Sequence, residues 1–257
     1  MSRSLLSGEV SALCYLKEVE IMCGRYTLGH SVDEVIERFG VQQLSLDMPP
    51  RFNIAPTQPV AVVTQNGTRV LDGYRWGLIP SWAKDVAIGN RMINARAETL
   101  AEKPVFKSAL LRRRCLVPAD GFYEWKREGS GKSARKQPMR VHHRDNGIFA
   151  FAGLWDEWQS PDGSPIRSCT IITTTPNELM AGIHDRMPAI LRREDEEAWL
   201  HPGGDSKFDL PPLLEMLRPY TDGELAAHPV STQVNSPVFD APTCIEPLES
   251  DDESGSQ

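Results

Sequence analysis

Four side chains in this sequence have the types needed for covalent chemistry on a carbonyl carbon: Cys23, Asn94, Glu124 and His184. Each stands in apolar or Gly/Pro-bounded surroundings, in IMCGRY, MINARAET, DGFYEWK and GIHDRMP respectively. Together they supply a thiol, an amide, a carboxyl and a titratable base, a workable catalytic set. Taken singly, each has a plainer explanation. Asn94 could cap a helix starting near Ala97, Glu124 could face outward on a strand beside Lys126, and His184 could be a helix-end histidine satisfied by a carbonyl. Two reaction classes fit the set. Cys, His and Asn could form a papain-like acyl-transfer site, although the local cysteine signature of such sites is missing. Alternatively, Cys23 acts on an aldehyde.

The aldehyde chemistry depends on what precedes Cys23. If translation begins at Met22, or residues 1–21 are removed, loss of Met22 leaves Cys23 with a free α-amine beside its thiol. Such a 1,2-aminothiol condenses with an aldehyde to an imine, and thiol attack then closes a five-membered thiazolidine. An internal cysteine stops at a reversible hemithioacetal. An α-amine with a pKa of about 7.7–8.0 is roughly one-tenth neutral at pH 7, whereas lysine at about 10.4 is neutral to well under one part in a thousand. A start at Met22 is the first expectation, and self-cleavage between Met22 and Cys23 the second.

These groups need a scaffold, and the chain supplies one. Its 257 residues are 40% hydrophobic and 25% charged, which predicts one substantial core. No apolar run approaches the roughly 18 residues of a membrane helix. The leader MSRSLLSGEVSALCYLKEVEI is a poor signal peptide because Glu9 interrupts its apolar segment, so a cytosolic protein is expected. The five cysteines are widely spaced and never in CxxC, which argues against a disulfide framework or a structural zinc site. Cys115 and Cys169 read as small buried hydrophobes in strands. No metal and no cofactor are expected, since no His/Cys/Asp cluster has ligand spacing. The net charge of −7 hides a basic block: residues 91–140 hold 13 Lys/Arg against 5 Asp/Glu, a local +8 that leaves −15 elsewhere. This is either a solvated mixed-charge surface or a groove that tracks phosphates.

Ser31-Val-Asp-Glu34 is a capping box, and Val32, Val35, Ile36 and Phe39 follow at helical spacing up to a Gly40 stop. The stretch QPVAVVTQNGTRVLDGYRWGL predicts two strands joined at Asn66-Gly67 in a type I′ turn. Residues 97–112 read as helix interrupted at Pro104. CLVPADGFYEWK, PMRVHH, IFAFAGLWDEW and RSCTIITTT read as four strands, with EGSGKSARKQP a basic, flexible loop. Helical pieces are expected near 177–181, 194–200 and 212–217, and HPVST as a short last strand. Strands dominate without regular alternation with helices. The fold class is therefore α+β, one domain with a mainly antiparallel, barrel-like sheet core and short peripheral helices. Residues 1–21 are expected to lie outside the mature fold, 22–248 to form the domain, and 249–257 to be a disordered acidic tail.

Seven motifs carry a resemblance. MCGRY (22–26), FNIAPTQPV (52–60), RWGLIPSWA (75–83), INARAET (93–99), CLVPADGFYEW (115–125), IHDRMP (183–188) and HPVST (228–232) run in order over nearly the whole chain. In these the sequence resembles the SRAP (SOS-response-associated peptidase) family of abasic-site processing proteins. The resemblance implies a sensor, acting as a monomer, that binds single-stranded DNA and traps the open-chain aldehyde of an abasic site on its N-terminal cysteine. It also implies self-processing ahead of that cysteine, a lyase-like reversal of the link, and association with the bacterial nucleoid when DNA is bound. Carried over by position, Cys23 is the crosslinking nucleophile and Asn94 holds the sugar. Glu124 is the general acid/base, and His184 assists opening of the sugar ring. Arg25, Arg96 and Arg186 would bind phosphates beside the lesion, with an internal salt bridge as the other reading of Arg25 and Arg96. Trp76 and Trp82 would stack on or wedge between bases, although Trp76 also reads as core. The family can show two adjacent tryptophans here, and this chain has Trp82-Ala83. A non-covalent single-strand binding module and a general cysteine protease are the rival functions.

Overall fold

A computed structural model describes residues 23–45, 48–129, 134–201, 210–221 and 223–248. The expected leader, the acidic tail and the middle of the basic loop, 130–133, lie outside the described residues.

The chain runs β1 (Tyr26–Leu28), α1 (Val32–Phe39), β2 (Gln43–Leu44), β3 (Arg51–Ile54), β4 (Pro59–Asn66), β5 (Thr68–Trp76) and β6 (Asn94–Arg96). It continues through α2 (Pro104–Arg112), β7 (Arg114–Ala119), β8 (Gly121–Glu128), β9 (Arg135–His143), β10 (Phe149–Gln159) and β11 (Pro165–Thr174). The remainder is α3 (Glu178–Ala181), β12 (Met187–Pro188), β13 (Ile190–Leu191), α4 (Arg193–Leu200), α5 (Leu210–Glu215) and β14 (Leu225–Pro229). One sheet has the order β14-β9-β8-β1-β3; the other runs β12-β11-β10-β7-β4-β5-β2. In the second sheet β11 also pairs with β5, in parallel, through Ser168 opposite Arg75 and Cys169 opposite Trp76. That pairing closes β5, β4, β7, β10 and β11 into a ring. The fold is α+β with a mainly antiparallel, barrel-like core. Closure leaves these five strands without a free edge.

Burial explains the closure. Every residue of β7 is buried, and so are the residues from Phe149 to Leu154 of β10, a pattern expected of strands covered on both faces. Trp76, Leu116, Phe151 and Ile172 contribute to the main core. Cys115 and Cys169 sit in it as buried free thiols. Between β7 and β8 the chain crosses from the ring to the five-stranded sheet at Asp120. Its carboxylate accepts hydrogen bonds from the Thr27 hydroxyl and, at 2.7 Å, the Gly29 N–H. Arg140 balances its charge at 3.6 Å.

Local signals hold where they are self-contained. Ser31 caps α1 with the reciprocal Glu34 contact, and Gly40 ends it in the left-handed region at φ 60°. Three expectations are corrected. The β4–β5 register pairs Asn66 with Thr68 and Gln65 with Arg69, so the reversal centres on Gly67 rather than on a two-residue type I′ turn. Pro104 does not interrupt a helix but begins one, at a position where its missing N–H costs nothing. The last strand starts at Leu225 and ends at Pro229, because its ladder to β9 runs from Leu225–His143 to Pro229–Met139.

Candidate active site

The β1–β8 register builds the centre of the site. Tyr26 pairs with Phe122 and Thr27 with Gly121, and the Tyr123 N–H donates to the Arg25 carbonyl at 2.9 Å. Continued toward the N-terminus, this antiparallel register brings Cys23 back along β8 to Glu124. The backbone N–H of Cys23 donates to Glu124 Oε1 at 2.7 Å, and the Cys23 thiol feels the same carboxylate. Cys23 sits at φ 47°, a conformation rare for a residue with a side chain. Both residues are buried, with Cys23 3% and Glu124 2% exposed. Glu124 is thus neither outward-facing nor paired with Lys126.

Burial sets the proton affinities. It raises the Glu124 carboxyl above its ordinary value, against the opposing effects of nearby His184 and the hydrogen bonds from Cys23. Burial pushes the Cys23 thiol well up, and the neighbouring Glu124 carboxylate adds to this while Arg186 opposes it. The thiol is therefore held as S–H and needs a base to become a nucleophile. Glu124, bonded to the Cys23 nitrogen and acting on its thiol, is placed to be that base.

The end of β11 gathers the other groups. β6 lies along one side of it in parallel, with Asn94 opposite Ile171 and Arg96 opposite Thr173. β12 lies along the other, with Pro188 opposite Thr173. Asn94 heads β6 and is not the cap of the single turn at Ala97–Thr99, whose cap position is Arg96. His184 follows α3. Its Nδ1 accepts the Arg186 N–H at 3.2 Å and lies 3.0 Å from Asp185 Oδ1, so a neighbouring backbone amide, not a carbonyl, meets the ring.

The expected DNA-contacting residues divide. Trp82 is 65% exposed and Arg96 is exposed. Trp76 is fully buried; its indole N–H donates to the Ile93 carbonyl at 2.9 Å, and its ring meets Tyr26 edge-on. No face of Trp76 remains for a base, and the stacking expectation for it is overturned by the ring closure that puts it in the core. Arg186 is buried and forms a fork with Glu98, at 2.6 and 3.0 Å, while also donating to the Thr173 carbonyl at 2.7 Å. A phosphate at Arg186 would have to replace Glu98. Arg25 makes no salt bridge among the described residues. It donates to Asn53 Oδ1 at 2.8 Å and to the Val234 carbonyl, and lies over Trp125 at 5.9 Å.

The sequence reading missed two residues of this neighbourhood. Asn53 is fully buried and donates to the carbonyls of Val234, Ser236 and Phe239, the last at 2.6 Å, so it ties the 234–239 segment to Arg25. Glu98 is the counter-ion of Arg186. Both lay inside quoted motifs, FNIAPTQPV and INARAET, but neither stands out by residue type. Among the described residues no group of three or more His, Cys, Asp or Glu side chains gathers as a metal site would.

Residues 22–237 match the family model described as SOS response associated peptidase (SRAP). The chain is 47% identical over 228 residues to the abasic site processing protein YoqW of Bacillus subtilis, covering 88% of this chain and 99% of that one. It is 36% identical over 201 residues to the abasic site processing protein HMCES of Gallus gallus, covering 70% of this chain and 58% of that one. Among solved structures, a Bacteroides thetaiotaomicron protein superposes with a TM-score of 0.76 at 28% identity, over 88% of this chain and all of that one.

Proposed function

We propose that this chain, which belongs to the SRAP family, senses abasic sites in single-stranded DNA and links to them covalently through Cys23. The observation that carries this reading is the 2.7 Å hydrogen bond from the Cys23 nitrogen to Glu124. That peptide nitrogen stands in for the α-amine of a chain beginning at Cys23, and the carboxylate then faces both nucleophiles of the aminothiol.

The reaction follows from that placement. His184 moves a proton as the hemiacetal ring of the abasic sugar opens to its aldehyde. The Cys23 amine adds to the aldehyde carbon to give a carbinolamine. Glu124, whose proton affinity burial raises, delivers a proton to the departing hydroxyl, which leaves as water with formation of the iminium C=N bond. The resulting carboxylate takes the thiol proton as sulfur adds to the iminium carbon, whose nitrogen keeps its one proton. One water is lost overall, and the product is a thiazolidine. Asn94 orients the sugar, while Arg96 and Trp82 hold the flanking strand. Removal of the residues ahead of Cys23 is the associated self-peptidase step, and protonation of the thiazolidine by Glu124 in reverse gives the lyase-like release. Chain and DNA meet in the cytoplasm; no helix among the described residues is long and apolar enough to cross a membrane.

The test is intact-protein mass spectrometry of a chain beginning at Cys23, before and after incubation with an oligonucleotide carrying one abasic site. An adduct of protein plus DNA less one water, formed without borohydride, is the expected result. Binding that never becomes covalent would leave a single-strand binding module instead.

A further inference from the structure

We infer that Asp156 and Trp158 are positioning residues that hold Trp82 outward as a stacking surface for a base; this rests on single-stranded DNA being the partner. An indole left 65% exposed forgoes burial that most tryptophans obtain, so its position calls for a mechanical cause. The cause lies in β10. Asp156 and Trp158 are two apart on that strand, project from the same face, and are each only 6% exposed. Asp156 Oδ2 accepts the Ser81 N–H at 3.0 Å, and the Trp158 indole N–H donates to the Ala83 carbonyl at 2.7 Å. These are the residues immediately before and after Trp82. The residue on each side of the exposed indole is therefore tied to one rigid strand.

The base of the loop is equally fixed. Gly77, at φ 128°, and Gly89 touch backbone to backbone: a Cβ on Gly77 would lie 2.5 Å from the Gly89 carbonyl oxygen, and one on Gly89 would lie 2.6 Å from that of Gly77. The Ile79 N–H donates to the Ser168 hydroxyl at 2.7 Å. Arg113, in the basic block, sits 3.4 Å from Asp156 Oδ1 and adds an ion pair to that anchor. Clamped at its base and on both sides of its tip, the loop meets DNA without first being ordered. Preorganisation of this kind lowers the entropy lost on binding.

The experiment is a double-mutant cycle on binding of the full chain to an undamaged single-stranded oligonucleotide. Trp158→Phe keeps the packing and removes the bond to Ala83; Asp156→Ala removes the bond to Ser81 and carries the same cycle if the first variant folds poorly by circular dichroism. Each is expected to raise Kd about three- to tenfold, the range for loss of one hydrogen bond. In a Trp82→Ala background each should change Kd by less than about twofold, because the group being positioned is gone. An equal weakening in both backgrounds would overturn the assignment, as would wild-type affinity in both single variants. A wild-type chain that fails to bind the oligonucleotide at all removes the functional reading itself, a result separable from either of these.

Discussion

The Cys23 nitrogen and the Glu124 carboxylate, 101 positions apart in sequence, lie 2.7 Å from each other, both residues buried. This contact joins the group that would attack an aldehyde to the group that would manage its protons. Replacing Glu124 with Gln keeps an oxygen acceptor and removes the proton store. The crosslinking rate at saturating DNA should fall about a hundredfold or more, measured by gel-resolved adduct formation in single-turnover conditions. A rate within a few-fold of wild type would remove Glu124 from the proton-transfer role.

The same substitution makes a statement about stability. Burial raises the Glu124 pKa in the folded chain above its unfolded value. Between those two values the native state binds more protons than the unfolded state, so this group's contribution to stability is present in acid and lost as pH rises through the folded pKa. Thermal melts of wild type and Glu124→Gln should therefore diverge with rising pH, the Gln variant gaining relative to wild type above the ordinary carboxyl range and the gap closing below it. A pH-independent difference would contradict the assignment.

Cys23→Ser leaves the amine able to form an imine but offers a hydroxyl where the ring-closing thiol should be. Its adduct should appear only when borohydride reduces the imine, whereas Cys23→Ala should likewise lose the stable link while retaining oligonucleotide affinity. A borohydride-independent adduct from the Ser variant would show that sulfur is not part of the product.

Trp76 and Trp82, six positions apart in one motif, should behave in opposite ways. Trp76→Ala opens a cavity in the core and should cost about 3–5 kcal/mol, lowering Tm by about 10 °C in a chain of this size. Trp82→Ala should leave Tm nearly unchanged and weaken single-strand binding. Calorimetry and fluorescence anisotropy on the two proteins decide the matter.

Glu98 is 46% exposed in its ion pair with Arg186, so the pair itself contributes little to stability, under about 1 kcal/mol. Neutralising it with Glu98→Gln releases a cation beside the site. Oligonucleotide binding should tighten at low salt, and the slope of log affinity against log salt should steepen by about 0.7, the value for one additional single-strand phosphate contact. An unchanged slope would mean that Arg186 does not meet a phosphate.

The chemistry of this site is legible in residue type alone. Cys23, Asn94, Glu124 and His184 stand out because their chemistry is at odds with their neighbours, and α1 because its cap, stripe and stop are all local. Residues whose role is to hold others gave no such signal. Asn53 and Glu98 are ordinary polar residues until the 234–239 segment and Arg186 arrive beside them. Trp76 and Trp82 share one Gly/Pro-rich stretch, and nothing within it says which of them faces the core.

By itself the sequence determined the kinds of atoms available: an aminothiol at Cys23 once nothing precedes it, an apolar cradle around Glu124, and β-branched and aromatic runs that have to form a sheet. These follow from covalent structure and local periodicity, which need no distant partner. Tertiary structure alone decided which atoms meet. The β1–β8 register sets Cys23 against Glu124, and the β11–β5 pairing closes the ring and buries Trp76. Asp156 and Trp158 on β10 hold Trp82 in solvent. Each is a contact between segments far apart in the chain, fixed by the closing of buried strands on one another, which no local pattern encodes.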